Sequence, residues 1–85
     1  MISKGEYRVG IAFNPGGDHR IDSIKQATAG LIDEMAEVLN APEDTAAHNP
    51  EAMRCAAIAQ TKYEEAAMWA VKAITKPSQP KEFRE

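Results

Sequence analysis

Residues 49–77 read NPEAMRCAAIAQTKYEEAAMWAVKAITKP, and this stretch decides the fold. Asn49 has a side chain that caps helices, Pro50 suits a first helical turn, and Glu51 places an acid at the positive end of the helix dipole. Alanine, the best helix former, recurs throughout, and Pro77 ends the pattern. The stretch therefore predicts a helix over residues 50–76, roughly 40 Å long at the usual rise per residue.

Apolar residues occupy more than one face of this predicted helix. One seam consists of alanines and a tyrosine at three-four spacing: Ala52, Ala56, Ala59, Tyr63, Ala66, Ala70 and Ala73. Ile58, Met68, Val71 and Ile74 lie off that seam, as does Trp69, the only tryptophan. A second helix of the same chain can cover only one face, so the pattern predicts a homo-oligomer in which Trp69 anchors an interface.

The first half of the chain predicts a second helix and an arm. Asn14-Pro15-Gly16-Gly17 is a turn signal, Asp18 suits an N-cap, and apolar three-four spacing begins at Ile21, which together predict a helix over 18–40. The short alternation from Tyr7 to Phe13 predicts an extended segment within an arm and turn over 1–17. A connector over 41–49 and a loose tail over 77–85, which Phe83 can dock onto a neighbour, complete a single all-α domain: an antiparallel two-helix hairpin with an N-terminal arm.

Composition narrows the function classes. The net charge of −3 argues against a binder of DNA or RNA polymers, which usually carries a basic stripe. Cys55 is the only cysteine, so no disulfide forms within the chain, and a reducing compartment is indicated. His19, His48 and Cys55 match no zinc spacing, and no apolar run is long enough to span a membrane. We therefore expect no metal, no cofactor and no membrane partner.

Cations and aromatic side chains are the candidates for ligand binding. Tyr7 and Phe13 on the arm can stack on a nucleobase, and Arg8 can grip a phosphate. They can equally pack the arm onto the hairpin. Lys25 flanks an apolar stripe, where most lysines lie along the surface with a solvated head, and a phosphate contact is the functional alternative. Lys72 lies in an apolar stretch, where a lysine is costly.

Acidic residues on both helices raise an enzymatic alternative. Asp33, Glu34 and Glu37, with Glu64 and Glu65 on the other helix, could hold magnesium for nucleotide pyrophosphate hydrolysis. Such acids more often form a solvated face, and neither a Glu-x-x-His motif nor a Ser-His-Asp set accompanies them. A helical adaptor without a ligand is the other alternative.

The order of these motifs resembles a family of phage proteins. Three pieces carry the resemblance: Tyr7-Arg8 in the arm, Ile21-x-x-Ile24-Lys25 opening the first long helix, and the run AAMWAVKAITKP over residues 66–77. Together they cover most of the chain and resemble the anti-CBASS and anti-Thoeris hairpin family of cyclic-oligonucleotide sponges. The resemblance implies a hexamer that sequesters cyclic dinucleotides such as cyclic GMP–AMP in the host cytoplasm, without cleaving them.

The resemblance also assigns site residues. It implies that Lys25 contacts the ligand and that an arm aromatic stacks on a base, with Tyr7 matching by its pairing with Arg8 and Phe13 matching by its spacing. Lys72 stands where the family usually has an arginine for cyclic trinucleotides, and a lysine lacks the planar fork. Glycocyclic ADP-ribose, bound by larger relatives, is a further possible cargo. The expected binding set is therefore Tyr7, Arg8, Phe13, Lys25, Thr28 and Lys72, with no catalytic residue.

Overall fold

Three helices form the part of the chain that the structure, a computed structural model, describes, residues 1–80. They are α1 (Lys4–Val9), α2 (His19–Leu39) and α3 (Pro50–Thr75), and no strand occurs in this range. The N-terminal end of α2 lies beside the C-terminal end of α3, and Ile32 further along α2 contacts Gln60, so the two long helices run antiparallel. Phe83 and its expected docking lie outside the described residues.

The two long helices begin where their capping residues stand. The Asp18 carboxylate accepts a hydrogen bond from the Arg20 amide, and the Asn49 side chain accepts from the amides of Glu51 and Ala52. Pro50 occupies the first turn of α3. Backbone N–H groups in a first turn have no acceptor within the helix, so the missing N–H of proline costs no hydrogen bond there. The sequence predicts helices over 18–40 and 50–76, and the observed helices lie within those ranges.

The expected extended arm is wrong for residues 4–9, which form α1. Ser3 and Glu6 make a capping box, in which the Ser3 hydroxyl accepts from the Glu6 amide and the Glu6 carboxylate accepts from the Ser3 amide. Gly10 ends the helix with a φ of 65°, a left-handed conformation that glycine adopts without strain. These local bonds outweigh the weak alternation of apolar residues.

The interface between α2 and α3 is built from small and polar side chains as much as from large apolar ones. The buried residues of the two helices are Ile21, Lys25, Ala29 and Ile32 on α2, of which Ala29 lies against Gly5 of α1, and Ala56, Gln60 and Ala67 on α3. The predicted alanine seam of α3 is therefore shifted: Ala66 and Ala73 are exposed, and the neighbouring positions Gln60 and Ala67 are buried instead. Alanine stands on several faces of α3, so apolar periodicity does not distinguish between adjacent registers.

Gly5 allows α1 to rest directly on the backbone of α2. A Cβ atom at this position would lie 2.0 Å from the Ala29 carbonyl oxygen, a distance that no packing permits. The Gly5 amide also donates to Asp33 Oδ1 at 2.7 Å. Backbone contact and hydrogen bond together fix the position of α1 along α2.

Gln60 joins all three helices through its buried side-chain amide. Nε2 donates to the Ile32 carbonyl oxygen of α2 at 2.9 Å. Oε1 accepts from Lys4 Nζ at 3.0 Å and from Arg8 Nη1 at 3.3 Å, both on α1. With donor and acceptor both used, the buried amide is satisfied and orients α1 across the hairpin.

We expect Gly5→Ala to destabilise the fold by about 1–3 kcal/mol or more, because the added methyl group forces α1 away from α2. Gly30→Ala is the matched control: Gly30 lies within α2, and an added Cβ meets no atom within 4 Å. The control is expected to gain roughly 0.5–1 kcal/mol from helix propensity. Urea unfolding at one fixed protein concentration measures both, and a Gly5→Ala protein as stable as the parent would contradict the close contact.

Candidate functional site

Two adjoining grooves lie where α1, the following turn, the start of α2 and the end of α3 come together. The larger, here the Phe13 groove, has a volume of about 540 Å³, and its walls include Phe13, Asn14, Asp18, Ile21, Lys25, Val71, Ile74 and Thr75. The smaller, here the Arg8 groove, has about 200 Å³ and is lined by Arg8, Val9, Lys25, Glu64, Ala67, Met68 and Val71. The two share Lys25 and Val71, so the pair forms one candidate site.

Lys25 lies at the junction of both grooves and is itself buried. Its Nζ donates to the carbonyl oxygen of Gly10 at 2.9 Å and also to that of Phe13. The ammonium thus ties the segment after α1 onto α2, which explains how a charge is accommodated at this depth. An ammonium has three donors, and these bonds occupy two of them.

Phe13 and Tyr7, the two aromatic residues of the arm, differ in the grooves that they line. Phe13 is 72% exposed, and its ring centroid is 5.6 Å from Lys25 Nζ, so the predicted aromatic and cation are brought together. Tyr7 is 76% exposed and lines a separate shallow groove of about 330 Å³ on the other side of Phe13. Within a single chain, therefore, Phe13 rather than Tyr7 faces the groove that contains Lys25.

An ion pair with Glu64 holds the Arg8 side chain in place beside the smaller groove. Its Nε donates to Glu64 Oε1 at 2.7 Å, and Nη1 donates to Gln60 at 3.3 Å. A guanidinium has five donors, so Arg8 retains capacity for an anionic ligand while its orientation is fixed. Arg8, Phe13 and Lys25 are the predicted binding residues that the structure assembles around the grooves.

Thr28 and Lys72 lie outside both grooves. The Thr28 hydroxyl donates to the Ile24 carbonyl oxygen of its own helix at 2.8 Å. Lys72 is exposed, and its Nζ lies 4.8 Å from the centroid of the Trp69 ring, a cation–π contact on the outer surface of α3. Trp69 and Met68 are also exposed in the single chain, at 60% and 66%.

The turn before α2 supplies Asn14 and Asp18 to the wall of the Phe13 groove, two residues that the sequence pattern does not indicate as site residues. Asn14 donates from Nδ2 to the Asp18 carbonyl oxygen at 2.8 Å and to Asp22 Oδ1 at 3.0 Å. Hydrogen bonds from Arg20 lower the pKa of the Asp18 carboxyl to about 2, and this carboxylate forms an ion pair with the Arg20 guanidinium at 2.7 Å. The turn motif itself was visible in the sequence; its position beside Lys25 depends on the docking of α1.

Two of the acids considered for magnesium have structural partners. Asp33 accepts from the Gly5 amide, and Glu64 accepts from Arg8. Within residues 1–80, His, Cys, Asp and Glu side chains form no group of three or more that could hold a metal ion. The acids therefore contribute to the docking of α1 in this arrangement.

Comparison with known families assigns the hairpin. A family model described as the Acb2/Tad1 hairpin domain matches residues 6–75, which cover α2, α3 and the last four residues of α1. The chain belongs to the Acb2/Tad1 hairpin family. This is the anti-CBASS and anti-Thoeris sponge family, which is associated with sequestration of cyclic nucleotides by phages. No curated protein and no solved structure matches the chain.

Among the described residues, no helix is both long enough and apolar enough to cross a lipid bilayer.

We expect Lys25→Met to destabilise this Acb2/Tad1 hairpin by about 1.5–3 kcal/mol, the usual contribution of hydrogen bonds to a charged group. The methionine retains the apolar stem but cannot bind the carbonyl oxygens of Gly10 and Phe13. Lys62→Met is the matched control, because the Lys62 side chain is 70% exposed. Equal unfolding free energies of the two variants in urea would show that Lys25 does not anchor the arm.

Proposed function

We propose that this chain binds and sequesters cyclic oligonucleotide second messengers without cleaving them, as a phage immune-evasion protein that blocks CBASS-type signalling in the host cytoplasm. Membership of the Acb2/Tad1 hairpin family is the observation that carries the proposal. Cyclic dinucleotides such as cyclic GMP–AMP are the proposed cargo. Cyclic trinucleotides and glycocyclic ADP-ribose are secondary candidates.

The two grooves support this assignment chemically. The exposed ring of Phe13 offers a face on which a base can stack, and base–aromatic stacking contributes about 1–3 kcal/mol per base. Lys25 and Arg8 supply cationic donors that suit the phosphodiester groups. These donors are already oriented by Gly10, Phe13 and Glu64, so little ordering is needed when a ligand binds.

We further propose that the working form is a homo-oligomer, with six chains favoured by the family resemblance. Large apolar side chains remain exposed on the single chain: Tyr7, Phe13, Ile58, Met68 and Trp69. The described part of the chain extends only 12 Å along its thinnest direction, so it presents two broad faces. In such an assembly, Tyr7, Thr28 and Lys72 would contact ligand held partly by a neighbouring chain, which accounts for their distance from the grooves.

The central experiment mixes the purified protein with cyclic GMP–AMP, follows binding by calorimetry, and then recovers the nucleotide after denaturing the protein. Sequestration predicts heat on mixing and intact nucleotide on recovery. Recovery of a linear or hydrolysed product would identify a hydrolase instead. Absence of binding for each cyclic oligonucleotide tested would favour an adaptor and overturn the proposal.

We expect Phe13→Ala to weaken binding of cyclic GMP–AMP about tenfold to a hundredfold, the range of one lost stacking contact. Phe13→Tyr is the matched control, because it retains an aromatic face. Tyr7→Ala, titrated beside them, shows whether the second aromatic stacks as well. If Phe13→Ala binds like the parent and Tyr7→Ala does not, the base lies against Tyr7 and the Phe13 groove is not the base site.

A further inference from the structure

Asn14, in the wall of the Phe13 groove, has a side-chain oxygen without a hydrogen-bond donor. Its Nδ2 donates to the Asp18 carbonyl oxygen and to Asp22 Oδ1. Both partners are acceptors, so the orientation of the amide is fixed: a flipped amide would set Oδ1 against two oxygens. In the correct orientation Oδ1 exposes less than 1 Å² and has no hydrogen-bond partner within the described residues.

A buried acceptor without a donor destabilises a fold, which is why native proteins have few of them. This one lies in a turn beside the exposed ring of Phe13, in a groove whose volume of about 540 Å³ is within the usual range for small-molecule sites. Pro15, Gly16 and Gly17 are exposed, so this side of the turn faces solvent. Because Oδ1 itself is buried, a ligand donor reaches it only when the Asn14 side chain or the turn moves.

We propose that Asn14 Oδ1 accepts a hydrogen bond from the exocyclic amino group of the nucleobase that stacks on Phe13. This inference rests on the proposed function, since it requires that the Phe13 groove holds a base. Both Nδ2 hydrogens are committed within the protein, so Asn14 offers a base edge only an acceptor. It therefore selects adenine, guanine or cytosine by an amino group and disfavours an edge that presents only acceptors.

The test compares cyclic dinucleotides with and without that amino group. The full chain is titrated by calorimetry with cyclic di-AMP and with its analogue in which purine replaces adenine. The same is done with cyclic di-GMP and its analogue in which hypoxanthine replaces guanine. For at least one pair, the wild-type protein is expected to bind the analogue about tenfold more weakly, because an acceptor built to receive a donor is left unpaired.

The same titrations on Asn14→Ala complete a double-mutant cycle, which cancels any general effect of the substitution on the turn. We expect this variant to bind the parent and the analogue equally, within about twofold, because it lacks the acceptor. Asn14→Gly serves if the alanine variant does not fold, because glycine also lacks the acceptor and is well suited to a turn. Asn40→Ala, at the end of α2, is the matched control and should retain the tenfold difference.

Two results would overturn the inference while the sequestration function stands. One is a wild-type protein that binds parent and analogue equally in both pairs. The other is an Asn14 variant that retains the wild-type difference between them, which would mean that another group reads the amino group. If the wild-type protein binds no cyclic dinucleotide at all, the proposed function fails, and the inference fails with it.

Discussion

The buried amide of Gln60 is the contact on which the arrangement of the three helices depends. A helix of six residues such as α1 is far too short to be stable in water by itself, so it exists because it docks. Gln60 lies in the middle of α3. Its side-chain oxygen accepts hydrogen bonds from Lys4 and Arg8 of α1, and its side-chain nitrogen donates to the backbone of α2. Its geometry therefore sets the position of α1, and with it the position of the turn that forms the Phe13 groove.

Polar groups make specific contacts that dock α1 and the turn after it onto the hairpin. Gly5 brings backbone against backbone, Asp33 receives its amide, and Lys25 holds the carbonyl oxygens that follow α1. Such bonds are directional, so they define one arrangement more sharply than apolar contact would. The same property makes Lys25 both a structural anchor and a preorganised cation, and a ligand that binds there meets a side chain already in place.

The sequence predicted the long helices well because their ends carry strong local signals: Asp18, Asn49 and the prolines at 50 and 77. It failed for α1, because the alternation at Tyr7–Phe13 predicts an extended segment where the Ser3–Glu6 capping box begins a helix. The register of α3 was not predictable, since alanines on adjacent faces satisfy the same pattern. Of the candidate site, the resemblance supplied Lys25 and the arm aromatics. Phe13 and Tyr7 face different grooves because Tyr7 lies within α1 and the chain changes direction at Gly10 before it reaches Phe13. Residue spacing in the sequence does not predict that change of direction.

The contacts of α1 also determine when, during synthesis, the groove can form. Lys4 and Gln60 are 56 positions apart, as are Arg8 and Glu64, so these contacts of α1 wait for partners that are translated much later. Until Gln60 and Glu64 have emerged, α1 can order only through its own capping box and through its contacts with α2, at Lys25, Ala29 and Asp33. The contacts that join α1 to α3 are thus the ones that can form only late in synthesis.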